Sequence, residues 1–218
     1  SHFRKMAKPT GLGFPGGLGA TTFIGFAKST YGVDFIEIAG GEDEAVAMAK
    51  RLKQIWMDTF PEMRAYFQWV THECVDLELS SPDDERYAYM SPFGMVRRNC
   101  RYTEATNGCA LQTPTAEGAK IALWKLAEAL YHTPVGSCLL GCHMVAFIHD
   151  EVILEIPFDA LTHERSFEAA RIMVDSMKEV MPDMLVQAEP ALMFVWDKRA
   201  ELKLDCDNRI IPWLPAAE

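Results

Sequence analysis

Residues 143–156 read HMVAFIHDEVILEI, two apolar runs parted by His149, Asp150 and Glu151. Each run has strand length and is rich in β-branched and aromatic residues. Two such runs with polar residues between them predict a buried antiparallel hairpin carrying its charge at the tip. Taking a carboxylate out of water into an apolar sheet without compensation costs several kcal/mol. Two adjacent carboxylates at such a tip therefore suggest a divalent cation. Hard oxygen donors suit Mg²⁺, which takes one or two carboxylates and leaves positions for substrate phosphate. From spacing alone, a solvated turn that happens to hold three polar residues explains the pattern equally well.

The flanking sequence predicts a mixed architecture. Leu161, Phe167, Ala170, Ile172, Met173, Val174 and Met177 recur at helical spacing over 160–180, and 191–195 reads as a last strand before Trp196-Asp197. Upstream, residues 114–131 predict a helix with Pro114 and Thr115 at its start and Leu126 and Leu130 inside it. Tyr87–Tyr102 predicts a hairpin turning at residues 91–94, and SSPDD at 80–84 is turn material. Ala45, Met48, Ala49, Leu52, Ile55 and Trp56 mark a helix, and Pro61 suits the first turn of the next, which carries Met63, Tyr66, Phe67 and Val70. Residues 9–19, PTGLGFPGGLG, disfavour a regular helix because proline lacks a donor and glycine costs backbone entropy. The expected fold class is α+β, with a helical part over 1–79 and a sheet-containing part over 80–218.

Composition is that of a globular chain with enough length for a real core: 49% hydrophobic and 24% charged over 218 residues. No run of about 18 apolar residues exists, so no membrane span or membrane partner is expected. No secretory leader is visible. The six cysteines form no paired CxxC knuckles and read as reduced thiols, so the expected compartment is cytoplasmic. Cys138, Cys142 and His143 read as small buried groups leading into a strand rather than as a metal cluster. The net charge of −10 argues against a simple nucleic-acid-binding surface. Arg4, Lys5 and Lys8, and then Arg97, Arg98 and Arg101, nevertheless leave room for a basic groove on an acidic body.

Arg4 and Lys8 lie four apart, which puts them on one face if the segment is helical. Two such cations beside a glycine-rich stretch can clamp a polyphosphate, although pairs at this spacing are common on any surface. The Walker pattern GxxxxGK[ST] is absent.

Taken in order, these blocks resemble the family A (DNA polymerase I-like) DNA polymerases over residues 3–200. Motif B of that family runs R-x-x-x-K-x-x-x-F-G-x-x-Y-G, and Arg4, Lys8, Gly13 and Gly17 stand at those spacings. AKRLKQIWMDTFPEMRAYFQWV at 49–70 resembles the fingers helices, including the F-P-x-x-R-A step at Phe60, Pro61, Arg64 and Ala65. SPFGMVRRNCRY resembles a hairpin with a G-R-x-R core, TAEGAKIALWKLA a palm helix opening with Q-G-x-A-A-D, and MVAFIHDEVILEIP motif C.

The resemblance implies fingers helices followed by a palm with an antiparallel sheet. It implies template-directed transfer of a nucleotide from a dNTP to a primer 3′-OH, with two Mg²⁺ ions stabilising the attacking and leaving oxygens. Asp150 and Glu151 are then metal ligands and His149 contacts the primer end. Arg4 and Lys8 hold the triphosphate, with Lys8 placed to protonate pyrophosphate, and position 12 faces the incoming base. Arg97, Arg98 and Arg101 follow DNA phosphates, and Glu117 lies near the DNA.

Several positions depart from the pattern. Leu12 replaces the stacking aromatic, Gly16 the tyrosine beside the template, Glu117 a glutamine and Ala122 an aspartate, and Pro9 follows Lys8. The motif A strand, whose aspartate is the other metal ligand, belongs before motif B and is missing. The expected partners are therefore primer–template DNA, dNTP and an N-terminal polymerase polypeptide supplying motif A. Two alternatives stay open. One is a non-catalytic palm remnant that binds DNA or a polymerase. The other is an unrelated metal hydrolase using His149, Asp150 and Glu151 with His143.

Overall fold

The computed structural model describes residues 2–91, 93–132 and 135–215. Its elements run α1 (His2–Gly13), α2 (Ala20–Tyr31), α3 (Phe35–Ala39), α4 (Glu42–Thr59), α5 (Glu62–Glu73), β1 (Tyr87–Met90), β2 (Val96–Cys100), α6 (Tyr102–Asn107), α7 (Thr113–Tyr131), β3 (His143–Ile148), β4 (Glu151–Glu155) and α8 (Thr162–Val180). A π-helical turn, Gly108–Gln112, joins α6 to α7. Helices thus accompany two small antiparallel sheets, β1–β2 and β3–β4, a mixed α+β arrangement. No helix among the described residues is long and apolar enough to cross a membrane.

The chain forms two compact units, Ser1–Pro114 and Thr115–Glu218. The expected boundary at 79/80 divided the chain by role, whereas by contact the β1–β2 hairpin goes with the helices before it. In the first unit, α1 to α4 close on Phe14, Phe23, Phe35, Ala45 and Ala49, with the Phe14 and Phe23 rings stacked at 4.4 Å. Removing each such ring from water contributes about 1.5–3 kcal/mol. A second cluster joins Val70 of α5 to Tyr87, Tyr89, Cys100 and Ala105, so the hairpin packs on α5 and α6.

In the second unit, Ala122, Leu126 and Leu130 form the buried stripe of α7. A side chain at Gly118 would collide with Met177, so glycine there lets α7 lie close on α8. Leu130, Leu139 and Cys142 pack with Met144, Leu154 and Ile172 beneath the β3–β4 hairpin. Cys142 is therefore a buried small group, and burial pushes its thiol up. Buried Arg165 of α8 donates to the carbonyls of Cys138 (2.8 Å) and Pro157 (3.2 Å), tying both ends of the hairpin to the helix.

Two expectations are corrected. Residues 11–13 are helical: α1 runs through Pro9 and Gly11 to Gly13, and the turn begins only at Phe14. Pro9 is fully buried, so its packing outweighs the lost hydrogen bond. Residues 191–195 form no strand. The segment is held instead by single contacts, Trp213 N–H to the Leu192 carbonyl at 2.7 Å and an edge-to-face pair of Phe158 with Phe194 at 5.5 Å.

Candidate functional site

The β3–β4 hairpin carries the sharpest chemistry. Ile148 pairs with Glu151, leaving His149 and Asp150 as a two-residue turn. His149 sits at φ 58°, the left-handed conformation such a turn needs at its first position. Asp150 is exposed and makes no hydrogen bond or ion pair among the described residues. Glu151 opens β4, is partly buried, and accepts a hydrogen bond at Oε1 from the indole Nε1 of Trp196 at 3.0 Å. The register shifts between Met144 and Ala146, which marks a bulge at Val145.

Carboxylates are hard oxygen donors of the kind Mg²⁺ takes, one or two at a time with water and substrate phosphate in its other positions. No group of three or more His, Cys, Asp or Glu able to hold a metal exists among the described residues.

Asp150 and Glu151 also border a groove of about 1020 Å³ that runs between β4, α8 and the 186–200 segment. Met173, Met177, Leu192 and Phe194 line its apolar part, and Trp196, Asp197 and Lys198 stand with the carboxylates. Arg199, paired with Asp197 at 2.7 Å, holds the Asp197 carboxyl down at about 2. The sequence marked Trp196 as the end of an element. Its role as a partner of Glu151 had no local signal.

In the first unit, α1 brings Arg4, Lys8 and Leu12 together. Each step of four residues turns about 40° and rises about 6 Å, and all three side chains are exposed, Leu12 by 58%. Pro9 and Gly13 face inward. The turn after α1 lies against α6. The Gly16 carbonyl accepts from the Thr106 hydroxyl at 2.9 Å, and a Cβ at Gly16 would sit 2.8 Å from Asn107 Oδ1 and closer still to Nδ2. Gly17 has φ +75°, and a Cβ there would meet the Tyr102 ring at 2.8 Å. The position expected for a tyrosine is thus filled by backbone packed on Asn107. Lys53 completes the turn by donating to the Leu18 carbonyl at 2.9 Å, and burial lowers its pKa.

The three arginines separate. Arg97 and Arg101 are exposed and in no ion pair among the described residues. Arg98 donates from Nε and Nη2 to the two carboxylate oxygens of Asp76 at 2.8 and 2.7 Å, and to Glu78 at 2.8 Å. Asp76 is 4% exposed, and the Arg98 guanidinium holds its carboxyl below the usual range. Arg98 is thereby tied to a buried carboxylate, which sets it apart from Arg97 and Arg101. Glu117 is buried in α7, away from solvent, and not displayed on a surface.

No protein-family model matches the chain, and no curated protein is significantly similar to it.

Proposed function

We propose that the chain is a fingers-and-palm portion of a family A-like DNA polymerase that works with polypeptide outside these 218 residues. The observation that carries this reading is the pair of adjacent carboxylates, Asp150 and Glu151, at a two-residue turn between apolar antiparallel strands. The order of the other blocks supports it: a cationic helix face, then fingers-like helices, an arginine hairpin, a long helix and this hairpin.

In this reading Asp150 and Glu151 hold a divalent ion, which when bound supplies Lewis acidity to phosphate oxygens. Arg4 and Lys8 bind the triphosphate as fork and point charges, respectively, on one exposed helix face. Lys8 is the group that neutralises or protonates the departing pyrophosphate. Leu12 offers the base an aliphatic surface where the family has an aromatic. Arg97 and Arg101 contact phosphates, and His149 touches the primer end. The remaining carboxylate comes from polypeptide outside these 218 residues that carries motif A.

The test is primer extension by the chain alone and with a co-expressed motif A polypeptide. Extension is expected only in the assembly, and Asp150→Ala abolishes it. Retention of activity within about tenfold, roughly 1.4 kcal/mol of barrier, removes Asp150 from the site.

A non-catalytic palm remnant is the second reading. The acidity of the second unit favours it, with 17 acidic against 9 basic residues over 115–218. DNA binding by the assembly without any nucleotide transfer decides for it.

A further inference from the structure

The two carboxylates at the hairpin tip are held differently. Asp150 projects from the turn and is untethered among the described residues. Glu151, one position later, is tied to a side chain 45 residues away, with Trp196 Nε1 at 3.0 Å from Oε1. An indole N–H donates and never accepts, and it does not titrate in the accessible pH range. The bond therefore engages Oε1 and leaves Oε2 with no hydrogen bond among the described residues.

Trp196 is itself delivered by an anchored strap. Leu192 is bonded to Trp213 and Phe194 packs on Phe158. On the far side, the Asp197 amide donates to Met193 Sδ at 3.3 Å and its carboxylate pairs with Arg199. A strap with no strand pairing of its own thus has several separate ties around one indole. Trp196 remains 46% exposed, so burial of the ring alone does not account for its placement.

We propose that Trp196 is a positioning residue for the metal-binding pair. By holding Glu151 Oε1, it pre-orients the carboxylate so that Oε2 and the free Asp150 present oxygens to one divalent ion. The proposal rests on the reading of Asp150 and Glu151 as metal ligands. Partners one shell out from a ligand change metal affinity by about 10–100-fold when removed, because they set the orientation of the ligating group.

The test uses Mn²⁺ as probe, followed by the electron-spin signal of the free ion, on the intact chain. Trp196→Phe keeps a ring and removes the N–H. It is expected to weaken Mn²⁺ binding about tenfold or more while the urea midpoint stays at the wild-type value. The tether is read separately from the indole ¹H–¹⁵N resonance of Trp196, assigned by its loss in Trp196→Phe. That resonance is expected to move in Glu151→Ala and to move by less in Glu151→Gln, which keeps an oxygen acceptor but loses the charge. Glu151→Gln should nevertheless lose Mn²⁺ affinity.

An indole resonance indifferent to Glu151→Ala, or a Trp196→Phe chain with wild-type Mn²⁺ affinity, overturns the positioning role. Failure of the wild-type chain to bind Mn²⁺ both alone and with the motif A polypeptide overturns the metal reading, and the positioning role with it. A Mn²⁺-binding chain that loses affinity in Trp196→Phe but supports no primer extension in any assembly leaves the positioning intact and sinks the polymerase reading.

Discussion

His149 and Arg98 show how two polar residues in similar hairpins come to different ends. A non-glycine residue in the left-handed region costs about 1–2 kcal/mol, and His149 at φ 58° is exposed, with no buried packing to offset that cost. His149→Gly is therefore expected to leave the urea midpoint unchanged or raise it, and the β-branched His149→Val to lower stability by about 1 kcal/mol or more. Arg98 neutralises a carboxylate that is itself almost inaccessible. Arg98→Ala should lower the urea midpoint well beyond Arg97→Ala. The sign with pH follows from Asp76, whose folded-state carboxyl is depressed: the contribution is present above its ordinary 3.8 and is lost as pH falls below it. The gap between the two variants should close in acid. Under the proposed function, Arg97→Ala and Arg101→Ala should each reduce the salt slope of DNA binding by about one, measured by filter binding.

At the level of elements, the turn after α1 is where backbone contact displaces a side chain. Gly16→Ala forces Asn107 to swing aside and is expected to cost about 1 kcal/mol, recovered in the double variant with Asn107→Ala. Gly17→Ala combines a left-handed φ of +75° with a collision against Tyr102, so it should cost more, and Asn107→Ala should not rescue it. Equal effects of the two single variants in urea denaturation would show that the contact with Asn107 is not specific. The β3–β4 hairpin has the opposite character. It exposes Val145, Phe147 and Ile148 and pairs on one side only among the described residues, an association hazard unless another strand covers it.

For the whole molecule, alkaline stability follows from groups kept neutral inside the first unit. Burial, the largest cause, raises Cys74 from its ordinary 9.0 to about 11. Tyr87 goes from 10.0 to about 12, again chiefly by burial, helped by its hydrogen bond to Glu85. Both folded-state values lie above the unfolded ones. The stability they contribute is complete below about pH 9 and is lost as pH rises through 11 and 12. Urea midpoints measured from pH 8 upward should fall over that window, and Cys74→Ser should flatten the early part of the fall. A flat profile to pH 12 would mean that both groups are solvated in the folded state.

Local periodicity carried much of the architecture. Alternation and turn residues placed both hairpins, and apolar spacing placed α4, α5, α7 and α8, because strand and helix patterns repeat within a few residues of themselves. The tip carrying Asp150 and Glu151 was legible as two carboxylates between apolar runs, but the expectation of a buried hairpin is corrected: Val145, Phe147, Ile148 and Asp150 are exposed, because among the described residues the strands pair only with each other. Arg4 and Lys8 share a face because α1 is continuous, and that required Pro9 to be buried, which no local rule forecasts. Contacts between distant segments decided the rest. Arg98 meets Asp76 across 22 residues, Gly16 lies against Asn107, and Trp196 reaches Glu151 across 45. Such pairings depend on where the chain returns in space. A one-dimensional pattern encodes which faces seek burial, and only the packed chain settles which partners they find.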